Sequence, residues 1–397
     1  MDNTAEPLIA FDAALLREPY SGVEVMIHET ACALAAHGTL PYCIYAPRNH
    51  VRPLPSNDRV RVRTVAANHP RLRRILWEQG TLPRILHRDG AQVLHAPAYV
   101  APLATRCPVV LTVHDLHVFT HPQFCSFANR LHYRLLLPRS IRRAAAITVY
   151  SEHVRHALLA LFPAAAAKTR VIPPGVPARF LQQPALDAQR EAVRLRLRLP
   201  QKFLLFVGDL APRKNLAGLL AAFDLLRSQN NGIRLVIAGA PVADRCPKVA
   251  RAFRRAGMPV RGAAGPPVGH KPEPMNDPIL WLGYAPEDDL PALYSMAELL
   301  LFPSFDEGFG LPALEAMASG CPVVCSTGGA AEVCGDAALV CNPASPTSIA
   351  EAAHALLANP SLRRSKIEVG LRRAAQFRWN DAVRKLETLY RSVASEP

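Results

Sequence analysis

Phe203-Leu-Leu-Phe-Val-Gly-Asp-Leu-Ala-Pro-Arg-Lys-Asn215 runs from five apolar residues through Gly208 into a proline-containing loop that delivers two adjacent cations, Arg213 and Lys214. A short apolar run closed by glycine suits a strand buried on both faces. The helical pattern Leu216–Leu226 follows directly. The unit is therefore strand, loop, helix, and in a parallel sheet ligands bind at the carboxyl ends of the strands. Two cations at such an end are placed to neutralise a diphosphate.

The same alternation extends in both directions. Phe203–Gly208, Arg234–Gly239, Ile279–Leu282, Leu299–Pro303 and Pro322–Cys325 read as buried strands, with helices over Asp288–Met296 and Pro312–Ser319. An earlier series reads as strands Leu8–Phe11, Tyr42–Tyr45, Val93–His95, Val109–His114 and Ala146–Tyr150, with helices Glu24–Ala36 and Arg71–Arg88. Two such series predict two doubly wound α/β domains. The proline-rich stretch Val171-Ile-Pro-Pro-Gly-Val-Pro177 is the hinge candidate between them. A basic helix over 242–255 and a glycine- and proline-rich surface loop over 257–278 interrupt the second series, and Trp379–Val393 closes the chain as a helix.

The bulk properties bound the function. At 397 residues, half of them hydrophobic, the chain has material for two cores. Its nine cysteines are scattered, odd in number and without a Cys-x-x-Cys pair, so free thiols in a reducing cytoplasm fit better than a disulfide framework. Asp2, Glu6 and Asp12 interrupt the N-terminal stretch and exclude a signal peptide there. No run of apolar residues is long enough to span a membrane. Net charge is +14, with 20 basic against 11 acidic residues in 1–178 and 26 against 21 in the remainder. The excess clusters in Arg71, Arg73, Arg74, Arg84 and Arg88, and in Arg130, Arg134, Arg139, Arg142 and Arg143. Such clusters suit an anionic membrane face or are solvated helix faces. Aromatic residues are not interleaved with them, which argues against single-stranded nucleic acid.

Three other segments carry chemistry. Phe305-Asp-Glu-Gly-Phe-Gly-Leu-Pro-Ala-Leu-Glu-Ala-Met-Ala-Ser-Gly-Cys321 places Glu307 beside Gly308, Phe309 and Gly310, and Glu315 just inside a helix opening at Pro312. Glycines let backbone amides approach a ligand, and a helix start favours an anion or a hydroxyl-rich group. Alone, Glu315 reads as a first-turn acid complementing the helix dipole and Glu307 as a solvated loop acid. Pro19-Tyr-Ser-Gly-Val-Glu24 puts Gly22 where the backbone turns sharply or passes close to something. Val109-Val-Leu-Thr-Val-His-Asp115 puts His114 at a strand's carboxyl end, where it is an active-site group or is bonded to backbone. His95, His117 and His121 lie nearby, but their spacing fits no standard zinc pattern.

These segments together resemble the retaining glycosyltransferases of family 4, along almost the whole chain, and in particular bacterial polysaccharide mannosyltransferases. Glu307 to Glu315 matches the family's E-x7-E motif, and Leu205 to Asn215 its phosphate-binding loop. Trp281-Leu-Gly-Tyr284, Gly329 to Gly335, His114-Asp115, Val171 to Gly175 and the closing Trp379 also look like family segments. The resemblance implies the GT-B fold: two doubly wound Rossmann-like domains facing across a cleft. Residues 1–177 would bind the acceptor, 178–376 the nucleotide sugar, and 377–397 would form a helix crossing back to the first domain.

It also implies roles. Arg213 and Lys214 would hold the donor diphosphate, Glu315 the ribose hydroxyls, and Glu307 the transferred sugar, beside the amides of Gly308, Phe309 and Gly310. Gly22 would approach the diphosphate, His114 the sugar and the acceptor hydroxyl, and the backbone around Leu282 the base. Two departures stand out: Asp209 replaces a common arginine and is expected to point away from a diphosphate, and Ser21 replaces the first of two glycines. The implied reaction is metal-independent, cofactor-free transfer of a hexose with retention, mannose from GDP-mannose being favoured. The acceptor would be a glycan or polyprenyl-diphosphate-linked chain in surface polysaccharide synthesis, at the inner membrane face and without nucleic acid. A GT-B epimerase or phosphorylase, or a non-catalytic nucleotide-sugar-binding protein, is the alternative.

Overall fold

The computed structural model describes residues 6–18, 20–48, 50, 52–66, 71–181, 187–229, 232–239 and 278–395. The helix expected over 242–255 and all but the last residue of the loop expected over 257–278 lie outside the described residues.

Two compact units emerge, one formed by Met1–Gly175 with Phe377–Pro397, the other by Val176–Gln376. The division falls inside the proline-rich stretch Val171–Pro177. In the first unit, β1 (Ile9–Asp12), β2 (Tyr42–Pro47), β3 (Val60–Val65), β4 (Val93–Ala96), β5 (Val109–Thr112), β6 (Ala146–Val149) and β7 (Thr169–Val171) form a parallel sheet in the order β3-β2-β1-β4-β5-β6-β7. Strand alternation divides the core. Ile9 and Phe11 pack on one face with Ile44, Val93 and Val110, while Ala10 packs on the other with Tyr45, Leu94 and Leu111. The doubly buried sheet explains why these strands read as continuous apolar runs.

In the second unit, β8 (Phe203–Val207), β9 (Arg234–Ala238), β10 (Ile279–Gly283), β11 (Leu299–Phe302), β12 (Val323–Ser326) and β13 (Ala338–Cys341) form a parallel sheet ordered β10-β9-β8-β11-β12-β13. Both orders are those of doubly wound sheets, with a switch of winding between β1 and β4 and between β8 and β11.

Three strands lie outside the sequence reading: β3, β7 and β13. All three are sheet edges. β3 alternates arginine with apolar residues, and its exposed positions break the apolar run on which the reading relied. The helix expected over Arg71–Arg88 is helical throughout, but with a wide turn at Trp77–Thr81 that buries Trp77 and Glu78. Arg74 pairs with Glu78 at 3.2 Å.

The C-terminal helix Trp379–Ser395 packs onto the first unit through Val383, Leu386, Tyr390 and Val393. Its Glu387 is buried. The carboxylate accepts hydrogen bonds from Thr39 N (2.6 Å), Thr39 Oγ1 (2.7 Å), Leu40 N (3.0 Å) and the Tyr42 hydroxyl (2.6 Å). Burial pushes its pKa up, but these donors outweigh it and hold the carboxyl below its usual range. Gly175 fits against this helix because a Cβ there would lie 2.2 Å from Trp379 N.

Candidate functional site

In the second unit the loops leaving β8 and β11 meet at the switch of winding. The Phe305 N–H donates to the Arg213 carbonyl at 2.8 Å. Asn215 stands at φ +58°, a left-handed conformation that asparagine tolerates better than most residues. Its Nδ2 donates to Pro303 O (3.1 Å) and Pro343 O (2.6 Å), and its Oδ1 accepts from Gly218 N (3.2 Å). Asn215 thus fixes the end of the cationic loop to two neighbouring segments.

On this frame Arg213, Lys214 and Glu307 come together. Lys214 Nζ lies 2.6 Å from Glu307 Oε1 and 4.8 Å from the Phe302 ring centroid. Arg213 Nη1 lies 3.1 Å from Glu307 Oε2 and 3.3 Å from Asp306 O. Lys214 and Glu307 are 6% and 7% exposed. Burial favours the neutral form of each. For Glu307 the two cations outweigh burial and hold the carboxyl at about 2. For Lys214 burial and the neighbouring Arg213 prevail over the pull of Glu307, and its pKa lies below the usual lysine value. Two cations thus share the single carboxylate of Glu307 in a dry setting, where a diphosphate gains most from them. Glu307 is therefore no solvated loop acid.

Asp209 stands at the start of the same loop. Its charge favours the protonated form of Lys214. Its Oδ1 is buried and has no hydrogen-bond partner among the described residues. The residue as a whole is half-buried.

Glu315 sits in the fifth position of the helix Leu311–Ala318, beyond the first turn, and is 6% exposed. Its Oε2 accepts from the Tyr294 hydroxyl at 2.9 Å. The reading of a first-turn dipole acid fails on both position and burial. Gly310 caps this helix at φ +98°, and a Cβ there would lie 2.9 Å from Ala330 Cα. Its glycine is demanded by the chain's own packing. Gly308 is held from the other side: a Cβ on Gly329 would lie 2.5 Å from the carbonyl oxygens of Glu307 and Gly308, and Gly329 N–H donates to Glu307 O at 3.2 Å. The buried Phe309 side chain anchors the loop. Leu282 lies at a bulge near the end of edge strand β10, where the register shifts between Trp281 and Gly283. Trp281 Nε1 donates to Gly239 O at 2.9 Å, tying the ends of β9 and β10 together.

In the first unit His114 lies two residues beyond the end of β5, not within the strand. It is buried, and its Nε2 donates to Pro97 O at 2.5 Å. The rings of Tyr99 and Tyr150 flank it, with centroids at 5.2 and 5.1 Å. Burial lowers its pKa, despite the bond to Pro97 and the nearby Asp115. A neutral ring with a proton on Nε2 keeps its lone pair on Nδ1. Gly22 opens the helix Gly22–His37 after Ser21, whose N–H donates to Glu24 Oε2 at 3.1 Å. The φ of Gly22 is not left-handed, and apart from its chain neighbours and its own helix no atom of the described residues lies within 4 Å of where a Cβ would stand. A sharp turn does not require this glycine.

The three histidines near it in sequence, His95, His117 and His121, have protein partners. His95 bonds Tyr390 (2.6 Å) and Thr112 (2.8 Å) and is pushed down to about 3 by burial. His117 pairs with Asp115, and His121 stacks on Phe124. Among the described residues no cluster of three or more His, Cys, Asp or Glu could hold a metal. Tyr294 and Asn215 escaped the sequence reading. Tyr294 lay inside an expected helix with nothing to mark it as a partner of Glu315, whereas Asn215, directly after the cation pair, is a signal that position alone offers.

Two Rossmann-like domains of these windings define a GT-B protein. Comparison with known proteins gives the family. Residues 20–180 match the family model "Glycosyltransferase Family 4" and residues 201–359 match "Glycosyl transferases group 1". The O-antigen chain mannosyltransferase B of Escherichia coli is 30% identical over 356 residues, covering 82% of this chain and 84% of that protein. Among solved structures, a sucrose-phosphate synthase from Thermosynechococcus elongatus superposes with a TM-score of 0.72 at 21% identity, covering 97% of this chain and 98% of that one. HepE from Anabaena in complex with UDP-glucose gives 0.72 at 17%, covering 97% and 99%. The chain belongs to glycosyltransferase family 4 and is a transferase of glycosyl groups.

Proposed function

We propose that this glycosyltransferase moves a hexose, mannose in first place, from a nucleoside-diphosphate donor to a glycan or polyprenyl-diphosphate-linked acceptor in surface polysaccharide synthesis. The observation that carries the reading is the Arg213–Lys214–Glu307 cluster at the carboxyl ends of β8 and β11, which holds two adjacent cations, Lys214 among them buried. A relative named as a mannosyltransferase favours mannose, and a fold neighbour holding UDP-glucose fits a nucleotide-sugar donor.

In the proposed reaction Arg213 and Lys214 take the diphosphate and stabilise the charge that grows on it as the sugar leaves. Glu315, steadied by Tyr294, accepts from the ribose hydroxyls. Glu307, shared between the cations and the sugar, orients the transferred hexose, with the backbone of Gly308, Phe309 and Gly310 beside it. The backbone around Leu282 receives the base. His114 is assigned to the sugar and the acceptor hydroxyl, and Gly22 to the diphosphate. We take the transfer to proceed with retention; a carboxylate at about 2 and bound to two cations is a weak nucleophile, which agrees with attack by the acceptor on the face the diphosphate leaves rather than through a glycosyl–enzyme. No metal is assigned a part, and the reaction takes place at the inner membrane face.

A thermal-shift panel of nucleotide sugars tests the proposal. The true donor binds only the folded protein and raises its melting temperature by mass action. A single base and sugar should stand out. No shift from any nucleotide sugar would refute donor binding, and epimerisation of the bound sugar without an acceptor would assign a different enzyme.

A further inference from the structure

The helix Phe127–Arg143 presents an apolar stripe that no described residue covers. Phe127, Leu131 and Leu135 are 72%, 51% and 48% exposed, and their spacing of four places them in one row along the helix. The opposite side is buried: Leu137, Ser140 and Ile141 anchor the helix, with Leu137 and Ile141 in the core of the first unit. Arginines border the stripe. Arg134, Arg139 and Arg142 are exposed, and the Arg130 guanidinium lies 5.8 Å from the Phe127 ring centroid. No acidic residue occurs between Asp115 and Glu152.

An apolar row in solvent, bordered by cations on a stretch free of acids, has the composition of a helix that lies in a membrane interface. We infer that this face docks on an anionic lipid bilayer, with Phe127, Leu131 and Leu135 entering the headgroup–acyl boundary and the arginines binding lipid phosphates. A nucleic acid would satisfy the arginines but leave the two leucines in water. The inference deepens the membrane-face part of the proposed function by naming the surface, and its readout needs neither donor nor transfer, so the two fail separately.

The test is partition of the full-length protein onto vesicles of phosphatidylcholine, alone or mixed with phosphatidylglycerol. Binding is expected to the anionic vesicles only, weakening with salt. Arg134→Gln with Arg139→Gln should lower partition roughly 30-fold, at about 5-fold per arginine. Leu131→Ser with Leu135→Ser keeps the charge and should still weaken binding at least about 10-fold. All four side chains are exposed, so both variants should melt with the wild type. Absence of vesicle binding, or binding untouched by either pair, overturns the inference. Salt-sensitive binding to an oligonucleotide, lost with the arginines in a protein that ignores vesicles, would assign the face to nucleic acid instead.

Discussion

Replacing Glu307 with glutamine removes the one anion that separates Lys214 from Arg213. At 2.6 Å and an effective dielectric of about 20, the Lys214–Glu307 attraction is roughly 6 kcal/mol before desolvation is counted. Two routes give the net cost. Breaking a buried pair by removing one partner costs about 3–5 kcal/mol. The displacement of the carboxyl from 4.5 to about 2 corresponds to about 3 kcal/mol. Glu307→Gln should therefore destabilise the second unit by about 3 kcal/mol near neutral pH, lowering its melting temperature by roughly 6–12 °C for a unit of that size.

The pH dependence has a definite sign. Lys214, already below 10.5, loses the stronger of the two carboxylates that raise its pKa, so the folded variant releases the proton earlier still. The unfolded chain then binds more protons, and stability rises with pH. The deficit should shrink as pH rises from neutrality toward the ordinary lysine range. Added nucleoside diphosphate should raise the melting temperature more in the variant than in the wild type, since phosphate then meets the two cations without competition from Glu307. Thermal melts over that range test each part. A variant that melts with the wild type, or whose deficit grows with pH, would refute the reasoning.

Asp12, at the end of β1, is pushed up to about 6 by burial, against the opposing Ala14 hydrogen bond and Arg74. Its ionisation is a penalty that is absent below about pH 4 and complete above about pH 6, and Asp12→Asn should add about 3 kcal/mol above that range and little at acid pH. Urea unfolding at two pH values checks this. Tyr294→Phe removes the hydroxyl that Glu315 accepts and should cost about 1.5–3 kcal/mol of stability while raising the donor KM more than it lowers kcat. Transfer should survive treatment with a chelator; activity lost to it and restored by Mg²⁺ would reverse the metal-independent proposal.

How far the sequence could be read depended on burial. Central strands such as β1, β8 and β11 are buried on both faces, and continuous apolar runs marked them. β3, β7 and β13 are edges, short or half-exposed, and their mixed sequences carry no such mark. The site residues were visible as types at the ends of strands, but their relations were not. Glu307 sits 93 positions from Lys214 in the chain, and only the adjacency of β8 and β11 makes them a pair. In sequence Gly310 reads as a place for a ligand's close approach; in the fold it is required by Ala330. Nothing local to Tyr294 announces that it steadies Glu315.

The most direct test of the central claim is the turnover of Lys214→Ala with the donor that the nucleotide-sugar panel selects. If Lys214 stabilises the departing diphosphate, kcat should fall by roughly 10²–10³, about 3–4 kcal/mol of transition-state stabilisation. Near-normal turnover in a folded variant would remove Lys214 from the mechanism and with it the assignment of the cluster as the diphosphate site.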